Sequence, residues 1–336
     1  MMRWLQWVGL PIGIGIFIAL LIHSGVDSMI DLVGHAGFVL LWLLPFHVFP
    51  LLLDAYAWQL LLHRRASLTF LLWVAAVREG VSRVLPVPSI GGEIVAIRLA
   101  QWRVGNISVV SASVIVETLV TVVVQYAFSA IGLFLVLGAP GQGESMRYVG
   151  IGLLLSLPVP LVMFALMRRG DMFQAIQRWA GRLLGGNNAL LRAIPGESLD
   201  REIRVLMSRM TLLGMAFLWQ LAGYILGAME TYWALSWLGQ PVSLQQALAI
   251  EALSQAVRHV AFMVPAGLGV QDAAIVMLSR TFGVDADVGM ALALVKRMRE
   301  VVFGCGALLS WQIAELMRRR VEPAEPPGRV SGGHGE

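Results

Sequence analysis

Residues 258–306 read RHVAFMVPAGLGVQDAAIVMLSRTFGVDADVGMALALVKRMREVVFGCG, and this stretch decides the fold of the chain. A Pro/Gly break at residues 265–269 interrupts apolar sequence. The long apolar helix that follows carries four charged residues in its middle, Lys296, Arg297, Arg299 and Glu300. Apolar flanks on both sides of these charges are typical of a membrane span. Because an unpaired ion at the bilayer centre costs about 2.5–3.5 kcal/mol, the charges are expected to face a partner, a cavity or a substrate.

The composition is that of a polytopic membrane protein. Of 336 residues, 57% are hydrophobic and 14% are charged, and the mean hydropathy is +0.74, outside the range of a soluble domain. The single cysteine, Cys305, excludes a disulfide or a cysteine-based metal site within one chain. No metal, cofactor or nucleic-acid partner is predicted.

Six full spans are predicted from apolar runs long enough to cross about 30 Å of hydrocarbon. They cover residues 4–22, 37–62, 107–137, 148–166 and 211–238 and the apolar sequence around Lys296. The first is interpreted as an uncleaved span rather than a signal peptide, because no small-x-small cleavage site follows it. The second ends at His63, Arg64 and Arg65, and this basic end is predicted to be cytoplasmic.

Two further apolar segments, residues 67–105 and 244–282, are each interrupted by Pro and Gly, which break a helix. Their pieces are too short to make convincing crossings. Broken backbone at membrane depth is tolerated where protein or a water-filled cavity covers it, so both segments are predicted to be re-entrant helical hairpins. The first would enter from the cytoplasm and the second from outside. Residues 37–137 and 211–315 would then form an inverted repeat, as in secondary transporters.

The predicted organisation is a single all-helical transmembrane domain, residues 1–316, in a bacterial inner membrane. A basic loop at residues 168–209 is placed in the cytoplasm, either as an amphipathic helix on the membrane surface or as a solvated connector. A Gly/Pro-rich tail at residues 317–336 is predicted to be disordered and cytoplasmic.

Charged residues near the two breaks are candidates for contacts with a lipid headgroup. Lys296, Arg299 and Glu300 share one helix face by spacing. The other candidates are Arg83, Glu93, Arg98, Glu117, Arg258, Gln271 and Asp272. Basic residues slightly outnumber nearby acids, which predicts a cavity with one or two spare positive charges and an anionic headgroup.

A structural interpretation of the same charges stays open. Lys296 with Glu300, or Arg299 with Glu117, would be neutralising pairs that fix the register of the helices. Asp54 and Glu230, each the lone acid on its span, are attributed to contacts with a neighbouring helix. Catalytic motifs are missing from the sequence: it has no GxSxG, HExxH, paired-Cys or Walker pattern. The chain is therefore not predicted to be an enzyme.

Three stretches carry a family resemblance: RVLPVPSIGGEIVAIRLAQ (83–101), VPAGLGVQDAAIVMLSRTFGV (264–284) and LALVKRMREVVFG (292–304). They resemble the transmembrane region of lysylphosphatidylglycerol synthases and the free-standing, flippase-like proteins related to it. The second stretch is most similar to the branch associated with hopanoid biosynthesis. The resemblance implies site positions at both breaks and on the charged helix: Gly91, Gly92, Glu93, Pro265, Gly267, Gly269, Gln271, Lys296, Arg299 and Glu300.

The resemblance implies translocation or handling of a membrane lipid, either an anionic phospholipid or a hopanoid-type lipid. Bifunctional members carry a cytoplasmic aminoacyl-transfer domain after this region, and only a short tail follows Met317 here, so the chain is not expected to make a lysyl-lipid. Two alternatives remain open. One is a scaffold that recruits lipid-biosynthetic enzymes through the loop at residues 168–209. The other is an integral lipid-modifying transferase, which requires a lipid product of altered mass.

Overall fold

The computed structural model describes residues 34, 37–84, 91–137, 158–169, 196–260 and 269–321, and these form helices and short connections without a strand. A 3-10 turn, Gly37–Trp42, leads into the first α-helix. The α-helices are α1 (Leu43–Leu61), α2 (Leu68–Val84), α3 (Gly91–Val104), α4 (Ile107–Leu137), α5 (Pro158–Arg169), α6 (Gly196–Ser208), α7 (Met210–Trp237), α8 (Leu244–Val260), α9 (Val270–Thr281) and α10 (Ala286–Val321).

Within this described part, four helices are long and apolar enough to cross a membrane. They are Gly37–Leu61, Ile107–Leu137, Met210–Trp237 and Ala286–Arg318. Each corresponds to a span predicted from the sequence. The predicted span at residues 4–22 lies outside the described residues, and the one at residues 148–166 is described only from Pro158. The last helix continues to Val321, past the predicted start of the tail at residue 317.

The two interrupted segments each form a pair of packed helices, α2 with α3 and α8 with α9. The connections at residues 85–90 and 261–268 fall outside the described residues. At the start of α3, a Cβ on Gly92 would lie 2.2 Å from Ser82 Oγ and 2.7 Å from the Arg78 carbonyl oxygen. Glycine is therefore required for α3 to lie this close to α2. Gly269 has a φ of 74°, and its backbone N–H donates to Asp272 Oδ2 at 2.8 Å. This contact caps the start of α9.

Arginines gather at one end of the bundle. Arg209 Nη1 lies 2.6 Å from His63 Nε2, which joins the start of α7 to the end of α1. Trp73 donates to Ser310 Oγ at 3.0 Å, and the Arg318 guanidinium lies 4.8 Å from the centre of the Trp102 ring. The outer ends of the α2–α3 pair are the start of α2 and the end of α3, and both therefore lie beside the C-terminal part of α10. We call this region the basic end.

The α8–α9 pair has its outer ends at the opposite end of the bundle. Asp285 N–H donates to Gln240 Oε1 at 2.8 Å, which ties the connection after α9 to the one before α8. The packing partners of the two halves also correspond. In the first half, α1 packs on α2, α3 packs on α4, and α4 packs on α8 of the second half. The corresponding contacts of the second half are α7 with α8, α9 with α10, and α10 with α2 of the first half. α1 and α7 pack against each other at the centre of this arrangement.

Small residues allow α2 and α10 to cross closely. A Cβ on Gly304 would lie 2.5 Å from Val84 Cγ2 and 3.3 Å from Gly80 Cα. Close approach through small residues is the usual way in which membrane helices gain packing contacts.

Replacing Gly304 with valine is expected to destabilise this crossing by about 1–3 kcal/mol, because the added methyl groups overpack it. Thermal unfolding in detergent, followed by size-exclusion chromatography, measures the effect. Gly306→Val on the same helix is the matched control, since no atom lies within 4 Å of a Cβ there. Equal stability of the two variants would contradict the close crossing.

Candidate functional site

A cavity of about 280 Å³ lies in the middle of the bundle. Its wall is formed by residues of α1, α2, α4, α7, α8 and α10, and α3 contributes Glu93. Its charged and imidazole side chains are His47, Asp54, Arg78, Glu79, Arg83, Glu93, Glu117, Glu230, Glu251, Arg258 and Arg299. A cavity with such a wall inside helices that cross a membrane is a site for a polar group.

Arg78 is the centre of one charged cluster. Its Nη1 donates to Glu117 Oε2 at 2.5 Å and its Nη2 donates to Asp54 Oδ2 at 2.8 Å, so the guanidinium joins α1, α2 and α4. Gln220 of α7 donates to the other Asp54 oxygen at 3.0 Å. Glu117 is only 1% exposed. The buried Glu117 carboxylate and the partly exposed Asp54 carboxylate therefore share one guanidinium.

His47 is the centre of a second cluster. Its Nε2 lies 2.9 Å from Glu79 Oε2 and its Nδ1 lies 2.9 Å from Glu230 Oε1, so the ring joins α1 to α2 and α7. Arg299 of α10 contacts the same Nδ1, and its Nε lies 3.2 Å from Glu230 Oε2. Arg83 lies 3.7 Å from Glu79. This cluster connects four helices on one side of the cavity.

The charged residues in the middle of α10 bind residues of several different helices. Lys296 contacts Glu251 of α8, and Thr231 donates to the same Glu251 oxygen at 2.5 Å. Glu300 accepts from Arg83 at 2.7 Å and from Arg297 at 3.0 Å. The pairings of Lys296 with Glu300 and of Arg299 with Glu117, considered from the sequence, are wrong. Helical spacing brings residues to one face, but the packing of α10 against the other helices selects the partners.

The structure places the predicted site residues in three groups. Five line the cavity: Arg83, Glu93, Glu117, Arg258 and Arg299. Seven others are described but are not part of the wall: Gly91, Gly92, Gly269, Gln271, Asp272, Lys296 and Glu300. Arg98 lies away from it, 57% exposed and paired with Glu315 at 2.7 Å. Pro265 and Gly267 fall outside the described residues.

The wall also contains polar residues that were not among the predicted site positions, including His47, Asp54, Arg78, Glu79, Gln220, Glu230 and Glu251. A sequence signal exists for some of them. His47 and Asp54 are seven residues apart and therefore share one helix face, as Arg78 and Ser82 do by their spacing of four. The signal was missed because isolated polar residues on α1 and α7 were attributed to single helix contacts, whereas the fold brings both helices to one cavity.

The predicted excess of positive charge is wrong for the described wall. It carries six carboxylates, four guanidiniums and one imidazole, so the acids are in excess even when His47 is protonated. The prediction counted Lys296, which binds Glu251 from behind the wall, and Arg98, which lies outside the cavity. It also left out Asp54 and Glu230, whose positions only the packing reveals.

Some wall oxygens lack a hydrogen-bond donor. Glu93 Oε2 and Glu117 Oε1 are both buried without a partner among the described residues. A buried acceptor without a donor costs about 1–3 kcal/mol. These oxygens favour a bound group that donates hydrogen bonds.

The 3-10 turn, α1 and α7 also form an apolar groove. Its volume is about 280 Å³. The wall is made of Trp42, Pro45, Phe46, Phe49, Trp233 and Trp237. Phe46 is the neighbour of His47, and Trp233 follows Glu230 by one helical turn, so α1 and α7 contribute residues both to the polar cavity and to the apolar groove.

These features define an integral membrane protein with a charged cavity lined by its helices. The chain belongs to the family of the lysylphosphatidylglycerol synthase transmembrane region, whose model matches residues 6–305. This family assignment confirms the resemblance at the level of the family and places the chain among membrane proteins of lipid metabolism or transport. No curated protein and no solved structure matches the chain.

Proposed function

We propose that this protein moves a membrane lipid between leaflets, with the lipid headgroup passing through the central cavity and the acyl chains remaining in the bilayer. The observation that carries the proposal is the cavity, whose charged wall lies among helices long enough to cross a membrane. Buried charges at this depth are costly and are characteristic of substrate pathways. The apolar groove on α1 and α7 is a surface for the acyl chains of the same lipid.

The arrangement of the two helix pairs supports the proposal. The outer ends of α2–α3 lie at the basic end, those of α8–α9 lie at the opposite end, and the packing partners of the two halves correspond. This pattern favours two re-entrant hairpins related as an inverted repeat. Transporters built in this way bind their substrates near the bilayer midplane, between the repeats.

The orientation follows from the arginines at the basic end. By the positive-inside rule we assign this end, with the C-terminal end of α10, to the cytoplasm of a bacterial inner membrane. Arg64, Arg65, Arg103, Arg209 and Arg318 belong to it.

The wall favours particular headgroups. An excess of carboxylates disfavours a bare phosphate, and acceptors without donors favour hydroxyl or ammonium groups. The guanidiniums of Arg258 and Arg299 also line the cavity, so a phosphate that carries such a donor group is accommodated. A polyol or amino headgroup on an anionic phospholipid, or a polyol of the hopanoid type, fits this wall better than phosphatidic acid.

Filling the cavity tests the proposal. Gly227 lines the cavity and has no atom within 4 Å of a Cβ position, so phenylalanine there projects into the space without removing a bonded group. Gly227→Phe is expected to slow lipid movement by about tenfold or more, which corresponds to about 1.4 kcal/mol in the barrier. Gly214→Phe is the matched control, because Gly214 is exposed on the same helix and has the same free space.

The measurement is leaflet sidedness in proteoliposomes. Dithionite quenching reports the movement of acyl-labelled fluorescent phosphatidylglycerol, phosphatidylethanolamine and phosphatidic acid. Wild type and Gly214→Phe should increase the rate of movement of phosphatidylglycerol and phosphatidylethanolamine more than that of phosphatidic acid. Equal rates for wild type and Gly227→Phe would contradict passage through the cavity. A wild type that moves none of the lipids would favour the scaffold, and a lipid of altered mass in extracts would favour a transferase.

A further inference from the structure

The His47 ring is held from three sides in the wall of the cavity. Glu79 of α2 lies 2.9 Å from Nε2, Glu230 of α7 lies 2.9 Å from Nδ1, and Arg299 of α10 contacts Nδ1. The ring also meets Phe303 edge to face, with 5.0 Å between the centroids. One imidazole therefore contacts three of the helices that pack on α1.

Nδ1 has two partners of opposite kind. The Glu230 carboxylate accepts a hydrogen bond, whereas the Arg299 guanidinium only donates. When both ring nitrogens carry protons, Nδ1 donates to Glu230 and Nε2 donates to Glu79. When Nδ1 loses its proton, it accepts from Arg299 and no longer donates to Glu230. Each protonation state thus has its own bonding arrangement among the same residues.

The surrounding charges favour the protonated state. The groups that face His47 are Glu79 and Arg83 from α2, Glu230 from α7, and Arg299 and Glu300 from α10. On α1 itself and on α4, Asp54 and Glu117 are held by Arg78. Glu300 also binds Arg297, which is paired with Asp272 of α9. The four carboxylates of this connected cluster face three guanidiniums, so an imidazolium makes the cluster neutral. Uncompensated charge at this depth is costly.

We propose that His47 is a proton-binding site that couples the lipid movement proposed above to pH. This inference rests on the proposed function. When Nδ1 of His47 loses its proton, α1 loses a hydrogen bond to Glu230 of α7. It gains a hydrogen bond from Arg299 of α10 in its place. Since these helices form the cavity wall, the exchange changes the contacts that hold the wall together.

A titration tests the proton site without any transport. The full-length protein in nanodiscs is labelled with ¹⁵N-histidine, and the His47 signals are identified by their loss in His47→Gln. Glu230→Gln removes a carboxylate that favours the imidazolium, so the titration midpoint should move to lower pH. Arg299→Gln removes a cation that opposes it, so the midpoint should move to higher pH. Each shift is expected to be about one pH unit, a tenfold change in proton affinity. Unchanged midpoints, or shifts in the same direction, would overturn the assignment.

A transport assay tests the coupling. Proteoliposomes containing acyl-labelled phosphatidylglycerol are assayed across the pH range of the His47 titration. The wild-type rate should change by about tenfold over the titration, and the His47→Gln rate should not follow pH. His63→Gln is the matched control and should keep the wild-type response. His63 lies beyond α1 at the basic end, where partial desolvation and then Arg209 and Arg65 lower the pKa of its imidazole.

The outcomes separate the two proposals. A wild type that moves the lipid at one rate at every pH overturns the coupling and leaves translocation standing. A wild type that moves no lipid at any pH overturns translocation and the coupling together, while the titration still decides whether His47 binds the proton.

Discussion

Replacing Arg78 with methionine is expected to destabilise the folded protein by about 3–5 kcal/mol, because it leaves the buried Glu117 carboxylate and the partly exposed Asp54 carboxylate without their cation. Arg78 donates to Asp54 at 2.8 Å and to Glu117 at 2.5 Å. Its guanidinium also lies 5.8 Å from the centre of the Trp58 ring. Thermal unfolding in detergent, followed by the loss of the monodisperse peak, measures the effect.

Neutralising the stranded acids should recover this loss. The triple change Arg78→Met, Asp54→Asn and Glu117→Gln removes all three charges and is expected to be more stable than Arg78→Met alone, since a buried ion pair can be replaced by neutral groups at little cost. Arg98→Met is the matched control, because the Arg98–Glu315 pair is largely exposed and such pairs contribute about 0–1 kcal/mol. An Arg78→Met protein as stable as Arg98→Met would show that the cluster does not hold the helices together.

Replacing Lys296 with methionine is expected to abolish lipid movement and to lower stability by about 3–5 kcal/mol, because Glu251 then remains buried and unpaired. Lys296 is 9% exposed and Glu251 is 6% exposed. Thr231 and Gln255 also donate to Glu251, so the carboxylate has neutral donors on both oxygens. These donors do not supply the charge that Lys296 provides.

The double change Lys296→Met and Glu251→Gln separates a structural pair from a functional one. Both charges are gone, so stability should return close to that of the wild type. Lipid movement should stay lost, because Glu251 lines the cavity while Lys296 lies behind it. The readouts are thermal stability and the dithionite assay on the same preparations. Recovery of both would assign the pair to helix register alone, which is the structural interpretation left open by the sequence.

The family and the helices were accessible from the sequence, because hydrophobicity and helix breaking are local properties. The predicted span at residues 107–137 coincides with Ile107–Leu137, and the span at 211–238 differs from Met210–Trp237 by one residue at each end. The break before Gly91 and the break before Gly269 separate helices as the Pro/Gly pattern indicates. The motifs around these breaks also identified the family that the chain belongs to.

The candidate site was accessible only in part. Arg83, Glu93, Glu117, Arg258 and Arg299 were recognised as candidates because charges in apolar helices are rare. The residues with which they pair were not recognised. Each helix carries its charges at a fixed rotation about its own axis, but which neighbour they meet depends on how the helices cross.

The sequence by itself determined that this is a helical membrane protein with broken helices and charges at membrane depth. The length of apolar runs, the Pro/Gly breaks and the charges are all properties of short stretches of the sequence. The tertiary structure alone decided that His47 meets Glu79 and Glu230, that Lys296 meets Glu251, and that carboxylates are in excess around the cavity. Those contacts join residues up to 183 positions apart. They arise from the packing of helices, in which close crossings through residues such as Gly80 and Gly304 set the distances and rotations that no local pattern specifies.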